Sequence, residues 1–279
     1  MKVGVTTRSF PRLTNAQAAE MIAANGFAWV ELCLVQTDSN YWVYNGRSDM
    51  SGFSDRRGRE VVAEYLSRGL QVPALGAFTN LLEPDEGEWR ANMAYFERLI
   101  QIAAINGIPV VATECGFIPG QRGINAERYE SAFEKLKRSL HELSGLADRY
   151  GVDIALEPCV LDVVPSAKRT ADLLRQVGSP RLRVLLDPAN LIANNTEEEM
   201  FSHLAPHIAY IHGKDRKVND AKGRIIGDGD IDWRKFIRFY RRHTPDAPFI
   251  LEYVNADNFC AVRDRVLEAA RDAGSTEQR

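Results

Sequence analysis

At 279 residues, with 45% hydrophobic and 26% charged residues, the chain has the composition of an ordinary soluble globular protein. A formal net charge of −3 gives it no general attraction to nucleic acid or to an anionic membrane surface, and no apolar stretch approaches the ~18 residues that span a bilayer. Cys33, Cys115, Cys159 and Cys260 lack the CxxC spacing of a zinc or redox motif, which points to reduced thiols in a cytoplasmic protein.

Residues 1–5 enter a strand-like run at once, so no signal peptide is expected. Apolar strand candidates follow one another near 2–7, 28–34, 71–78, 109–114, 153–158, 182–187, 207–213 and 249–254. Between them lie helix-period segments at 15–24, 57–68, 88–105, 126–150, 167–177 and 233–242. In the longest, Phe133, Leu136, Leu140, Leu143 and Leu146 recur at three and four, the stripe of a helix with one face on a core. Gly26, Gly69, Gly107 and Gly151 stand between a helix-like segment and the next strand, where a glycine stop is expected. Alternation of this kind implies parallel strands with right-handed crossovers. Eight strand candidates predict an α/β chain folded as a single (β/α)8 TIM barrel domain over 1–279, with 274–279 as a frayed tail. The alternative, an open doubly wound sheet, lacks a GxGxxG after its first strand.

Four of the apolar runs carry an acid or imidazole near their end: Glu157 in DIALEP, Asp187 in LRVLLDP, His212 in HIAYIHGKD and Glu252 in FILEYV. Runs this rich in Val, Ile and Leu read as strands buried on both faces, where an unpaired charge is costly. Four such residues in one half of the chain point to a shared partner. Three carboxylates and one imidazole suit a hard or borderline divalent cation. Strand alternation puts Ala155 and Glu157 on one face, and Tyr210, His212 and Lys214 on another. With Glu157 inward, strands five to eight supply one ligand each at the carboxyl end of the barrel, where barrel sites are built. Taken singly, a carboxylate here reads as an ion-pair partner for an arginine such as Arg183, and His212 as a core histidine; their company decides.

The strings ALEP, LLDPAN, YIHGKD followed by GDGDIDW, and FILEY resemble the sugar isomerase and epimerase branch of the xylose isomerase-like TIM barrels. GFAWVEL at strand two, NLLEPDE after strand three and the helix leading into YGVDIALE extend the likeness over nearly the whole chain. The resemblance implies one divalent metal ion on Glu157, Asp187, His212 and Glu252: Mn2+ first, with Mg2+, Co2+ or Zn2+ as alternatives. It also implies that Glu157 and Glu252 flank the substrate as a catalytic acid–base pair. Two positions depart from the pattern. Ketose 3-epimerases carry a histidine three residues after the second ligand, where this chain has Asn190, and a substrate-binding arginine where Val218 stands. Lys214 or Arg216 are nearby substitutes, and Lys214-Asp215 is more similar to inosose dehydratase-like members. Expected substrate contacts are Asn190, Lys214, Asp215, Glu31 (a glutamate common in the family), Arg8 and Trp42. Trp42 shares a long loop with Tyr41 and Tyr44, which suits a lid over a sugar ring, the packing of the loop itself or contact with a second subunit. Glu114 and Cys115 end strand four, where one of them is placed to line the pocket. His141, His203, His207 and His243 fall away from the site.

The expected activity is metal-dependent isomerisation or epimerisation of a small sugar or related polyhydroxy carbonyl compound, by proton transfer through a metal-stabilised enediolate. The alternative is a lyase sharing that intermediate: a dehydratase of a keto-cyclitol or keto-sugar, or a decarboxylase of a sugar acid. An endonuclease four-like repair enzyme fits less well, because Asn190 replaces a histidine of that group, GDGDID lacks another, and the charge balance is acidic. An inactive metal or sugar binder is opposed by the intact glutamate pair. The expected partner is a small sugar-like molecule, with no nucleic acid and no membrane, and the resemblance implies a homodimer or homotetramer.

Overall fold

The protein is described by a computed structural model covering residues 1–121, 123 and 125–275. Its chain runs β1 (Gly4–Thr6), α1 (Asn15–Ala24), β2 (Trp29–Leu32), α2 (Asp55–Leu66), β3 (Gln71–Gly76), α3 (Glu86–Ile105), β4 (Val110–Glu114) and α4 (Tyr129–Tyr150). The second half runs β5 (Asp153–Glu157), α5 (Ala167–Val177), β6 (Leu182–Leu186), α6 (Pro188–Leu191), α7 (Glu197–Leu204), β7 (Ile208–Gly213), α8 (Trp233–His243), β8 (Phe249–Leu251) and α9 (Phe259–Ser275). Every strand pairs in parallel with its sequence neighbours, and β8 pairs with β1, so the sheet closes into the expected (β/α)8 barrel.

Local chemistry explains where the helices start and stop. Thr14 caps α1 and accepts from the Gln17 amide while the Gln17 side chain returns the bond, a capping box. Ser54, Ser166 and Asp232 cap α2, α5 and α8 in the same position. The four predicted glycine stops all have positive φ, between +67° and +78°, a conformation that costs a residue with a Cβ.

Three helices lie where the sequence reading placed none: α6, α7 and α9. A second capping box, Thr196 with Glu199, announces α7. The spacing of Val262, Val266, Ala270 and Ala273 marks the buried face of α9. That helix continues through Gly274 to Ser275; 276–279 lie outside the described residues.

Two apolar layers hold the fold together. Between barrel and helices, strand residues such as Val111, Ile154, Leu156 and Leu186 meet the α4 stripe, whose Phe133, Leu136, Leu140 and Leu143 are buried. Burying each such leucine contributes roughly 1.5–3 kcal/mol over leaving it exposed. Inside the barrel, Cys33, Ala74, Ala112, Ala155, Leu185, Tyr210 and Ile250 fill the lumen. This packed floor stops short of the carboxyl end of the strands, and there the polar residues begin.

Candidate metal centre and cleft

The lumen residues set the phase of the site. Ala155, Leu185, Tyr210 and Ile250 point inward; two residues further along each strand direction come Glu157, Asp187, His212 and Glu252, on the same face. One donor atom from each lies within 4.8 Å of all the others, and all four residues are buried. Glu157 ends β5 and His212 is the last residue but one of β7, whereas Asp187 and Glu252 are the first residues beyond β6 and β8.

Each side chain is aimed by a neighbour. Asp187 caps α6: its Oδ1 accepts from the Ala189 amide at 2.9 Å, which turns Oδ2 towards the cluster. Glu157 Oε1 accepts from Asn190 Nδ2 at 2.8 Å, and Asn190 Oδ1 accepts from Arg216 Nη2 at 2.8 Å. Glu252 Oε1 accepts from Arg8 Nη2 at 2.8 Å. Trp42, Tyr44 and Phe78 surround the Arg8 guanidinium with ring centroids 5.1, 5.8 and 5.3 Å away, which fixes it by cation–π attraction. His212 Nε2 stands 3.2 Å from Glu31 Oε2, and Tyr210 donates to Glu31 Oε1 at 2.6 Å.

These contacts leave three buried atoms without an aligned hydrogen bond: Asp187 Oδ2, His212 Nδ1 and Glu252 Oε2. Nδ1 lies 3.5 Å from Glu157 Oε1 and 3.6 Å from Glu252 Oε2. Orphaned buried acceptors are expensive. Their convergence from three strand ends, beside Glu157 from a fourth and with the other histidine nitrogen backed by a carboxylate, is the arrangement a divalent cation requires. The donor set therefore fits one such ion. Lys214 Nζ also approaches Asp187 Oδ2 and Glu252 Oε2, at 2.5 and 3.0 Å. The contact is one of charge, since neither oxygen meets hydrogen-bond geometry.

Electrostatics within the cluster are strongly coupled. Burial opposes charge on Glu252, but Lys214, Arg8 and His212 outweigh it and hold the carboxyl far below its usual range. Burial pushes Asp187 up to about 7, against Lys214 and with the help of Glu157 and Glu252. For His212 burial is again the largest influence and acts downwards, yet Glu31, Glu252 and Glu157 raise it well above an ordinary histidine. Asp187 is thus raised even though Lys214 lies beside it. Burial is the larger influence there, and Glu157 and Glu252 add to it.

Above the cluster opens a cleft of about 540 Å³, lined by Arg8, Trp42, Tyr44, Glu114, Asn190, Lys214, Arg216, Glu252 and Tyr253 among others. Of the six expected substrate contacts, Asn190, Lys214, Arg8 and Trp42 are therefore in the cleft wall. The other two stand elsewhere. Glu31 is fully buried behind His212. Asp215 spends both oxygens on the loop that follows it, accepting from Arg216 N, Gly227 N, Ile231 N and Trp233 Nε1. Cys115 is core, whereas Glu114 lines the cleft and accepts from the Tyr44 hydroxyl at 2.9 Å. From the sequence, Tyr210 has a face but no role, and Phe78 and Tyr253 have neither. Tyr210 was legible, since it shares the phase of His212; Phe78 and Tyr253 adopt positive φ values of 49° and 60° that no local pattern announces. The four other histidines lie on α4, α7 and α8 or at the entry to β7, as expected.

No curated protein matches the chain. Several solved structures superpose over nearly its whole length. A D-tagatose 3-epimerase-like protein has a TM-score of 0.80 at 15% identity, with 99% of each chain covered. The 3-keto-D-glucoside 4-epimerase YcjR from E. coli has a TM-score of 0.76 at 14% identity, covering 96% of this chain and 99% of its own. The probable 3-DHS dehydratase AsbF from Bacillus anthracis has a TM-score of 0.74 at 18% identity, again covering 96% and 99%. At these identities the likeness carries the fold. A family model matches residues 19–276, and by it the chain belongs to the xylose isomerase-like TIM barrel family.

Proposed function

We propose that the protein is a divalent-cation-dependent isomerase or epimerase of a small sugar or related polyhydroxy carbonyl compound. The observation that carries this reading is the pair Glu157 and Glu252, two buried carboxylates from separate strands that share one cation-compatible cluster at the floor of a polar cleft. A cation held by Glu157, Asp187, His212 and Glu252 would supply stabilisation of the negative charge that builds on a carbonyl oxygen when the adjacent carbon loses its proton. Mn2+ is the first choice for that ion, with Mg2+, Co2+ and Zn2+ as alternatives.

The chain's own residues do the rest. One glutamate of the pair takes the proton and the other returns one; return to the opposite face of the same carbon is epimerisation, and return to the neighbouring carbon is isomerisation. Asn190 aims Glu157, and Arg8 aims Glu252. Trp42 and Tyr253 form walls of the cleft. The 3-keto-D-glucoside 4-epimerase and the D-tagatose 3-epimerase-like protein support this class of reaction.

A second reading, dehydration, is favoured by the Tyr44–Glu114 pair in the cleft wall. There a base removes the C–H proton and the Glu114 carboxyl, raised by burial, protonates a leaving hydroxyl, which departs as water. The dehydratase neighbour supports that reading.

The test is proton exchange in D2O with a panel of ketoses, inososes and keto acids. Exchange at a carbon next to the carbonyl is expected, lost on chelation, and the product distinguishes the two readings. Glu157→Gln and Glu252→Gln should each slow it about 10²–10⁴-fold while leaving the circular dichroism spectrum unchanged. Variants that exchange at the wild-type rate would remove both glutamates from the mechanism.

A further inference from the structure

Lys214 continues the inward phase of His212, two residues on, and is only 5% exposed. Its Nζ lies 2.5 Å from Asp187 Oδ2, 3.0 Å from Glu252 Oε2 and 3.8 Å from Glu157 Oε1. These are oxygens of the three carboxylates assigned to the cation. A divalent metal bonds a carboxylate oxygen at roughly 2.0–2.2 Å. Adding the two lengths, an ion on Asp187 Oδ2 stands at most about 4.7 Å from Nζ, in whatever direction it lies. A double and a single positive charge repel at that range in a buried site. They also compete for the same lone pairs.

We propose, on the cation-binding reading above, that Lys214 is an internal counter-ion which the divalent cation displaces. Its ammonium offsets part of the charge of the three carboxylates, then swings further into the cleft when the cation takes its place. Two observations make the movement easy. Asp187 Oδ2 and Glu252 Oε2, which hold the ammonium, are oxygens the cation itself would take, so the cation replaces the charge contacts it breaks. The destination is prepared: the Tyr253 ring centroid is 5.1 Å from Nζ, and Glu114 lines the same cleft. A flexible four-carbon stem allows the swing. The exchange moves the Lys214 charge further towards the substrate's side of the site when the cation is loaded.

The test is calorimetric titration of Mn2+ into chelator-treated wild type, Lys214→Met and Lys214→Gln, with circular dichroism as the check on folding. Both variants should bind Mn2+ at least tenfold more tightly than wild type. Equal or weaker binding by folded variants overturns the exchange. A second measurement needs no variant: acetic anhydride labelling of wild type, read by mass spectrometry against the exposed Lys168. Lys214 should acetylate several-fold faster in saturating Mn2+ than in chelator, and an unchanged or slower rate overturns the proposal. If wild type and variants alike bind none of Mn2+, Mg2+, Co2+ and Zn2+, the cation-binding reading itself fails, and the counter-ion exchange with it.

Discussion

Glu31 shows how one buried carboxylate directs the chemistry of another residue. Its Oε2 faces His212 Nε2 and its Oε1 is anchored by the Tyr210 hydroxyl, so the imidazole turns Nδ1 towards Glu157 and Glu252. A carboxylate behind a ligating histidine fixes its ring and raises its basicity. Glu31→Gln should therefore lower cation affinity about 10–100-fold in calorimetry while the protein stays folded. An unaltered affinity would mean that the histidine needs no such support. Asn190 acts on the other side, where one amide joins Glu157 to Arg216. Asn190→Ala frees both, and substrate turnover should fall by about tenfold or more, since misplacing a catalytic group by an ångström can cost 10²-fold. Turnover at the wild-type rate would assign Asn190 to packing alone.

At the scale of elements, the segment between β7 and α8 is the one most dependent on a single side chain. Asp215 is fully buried and binds three backbone amides and the Trp233 indole, while Asp215 and Arg224 also exchange backbone hydrogen bonds. This loop carries Arg216 to the cleft, so its order is tied to the site. Asp215→Ala leaves several donors unsatisfied and should destabilise the protein by about 2 kcal/mol or more in urea denaturation. Limited proteolysis should then cut within 217–230. Resistance equal to wild type would show that the loop is held by other contacts. The helices teach a related lesson. Long amphipathic helices such as α4 are legible from periodicity, whereas α6 is a single turn whose only signal is Asp187-Pro188 and whose cap is also a candidate ligand.

For the whole molecule, the cluster concentrates like charge in a barrel that must otherwise be dry. Three carboxylates and Glu31 share a space with His212 and Lys214. A ligand that binds only the folded state stabilises it by mass action, about 2.7 kcal/mol at a hundredfold excess over Kd. Saturating Mn2+ should thus raise Tm by several degrees, and chelation should reverse the gain. A Tm indifferent to all four ions would argue that protein charges alone satisfy the cluster. No helix among the described residues is long and apolar enough to cross a membrane.

What the sequence determined by itself is local and periodic. Alternation of apolar runs and amphipathic segments prescribes eight strands with helices between them, and glycine stops set their phase. The inward faces of β5 and β7 already carry Glu157 and His212, because side-chain direction along a strand repeats every two residues. Tertiary structure alone decided the partners. Arg8 meets Glu252 across 244 residues, and His212 meets Glu31 across 181, because ring closure between β8 and β1 makes distant strand ends neighbours. Periodicity fixes which way a side chain points along its own element. Which atoms it finds there depends on register and closure, properties of the assembled barrel that no local stretch of sequence contains.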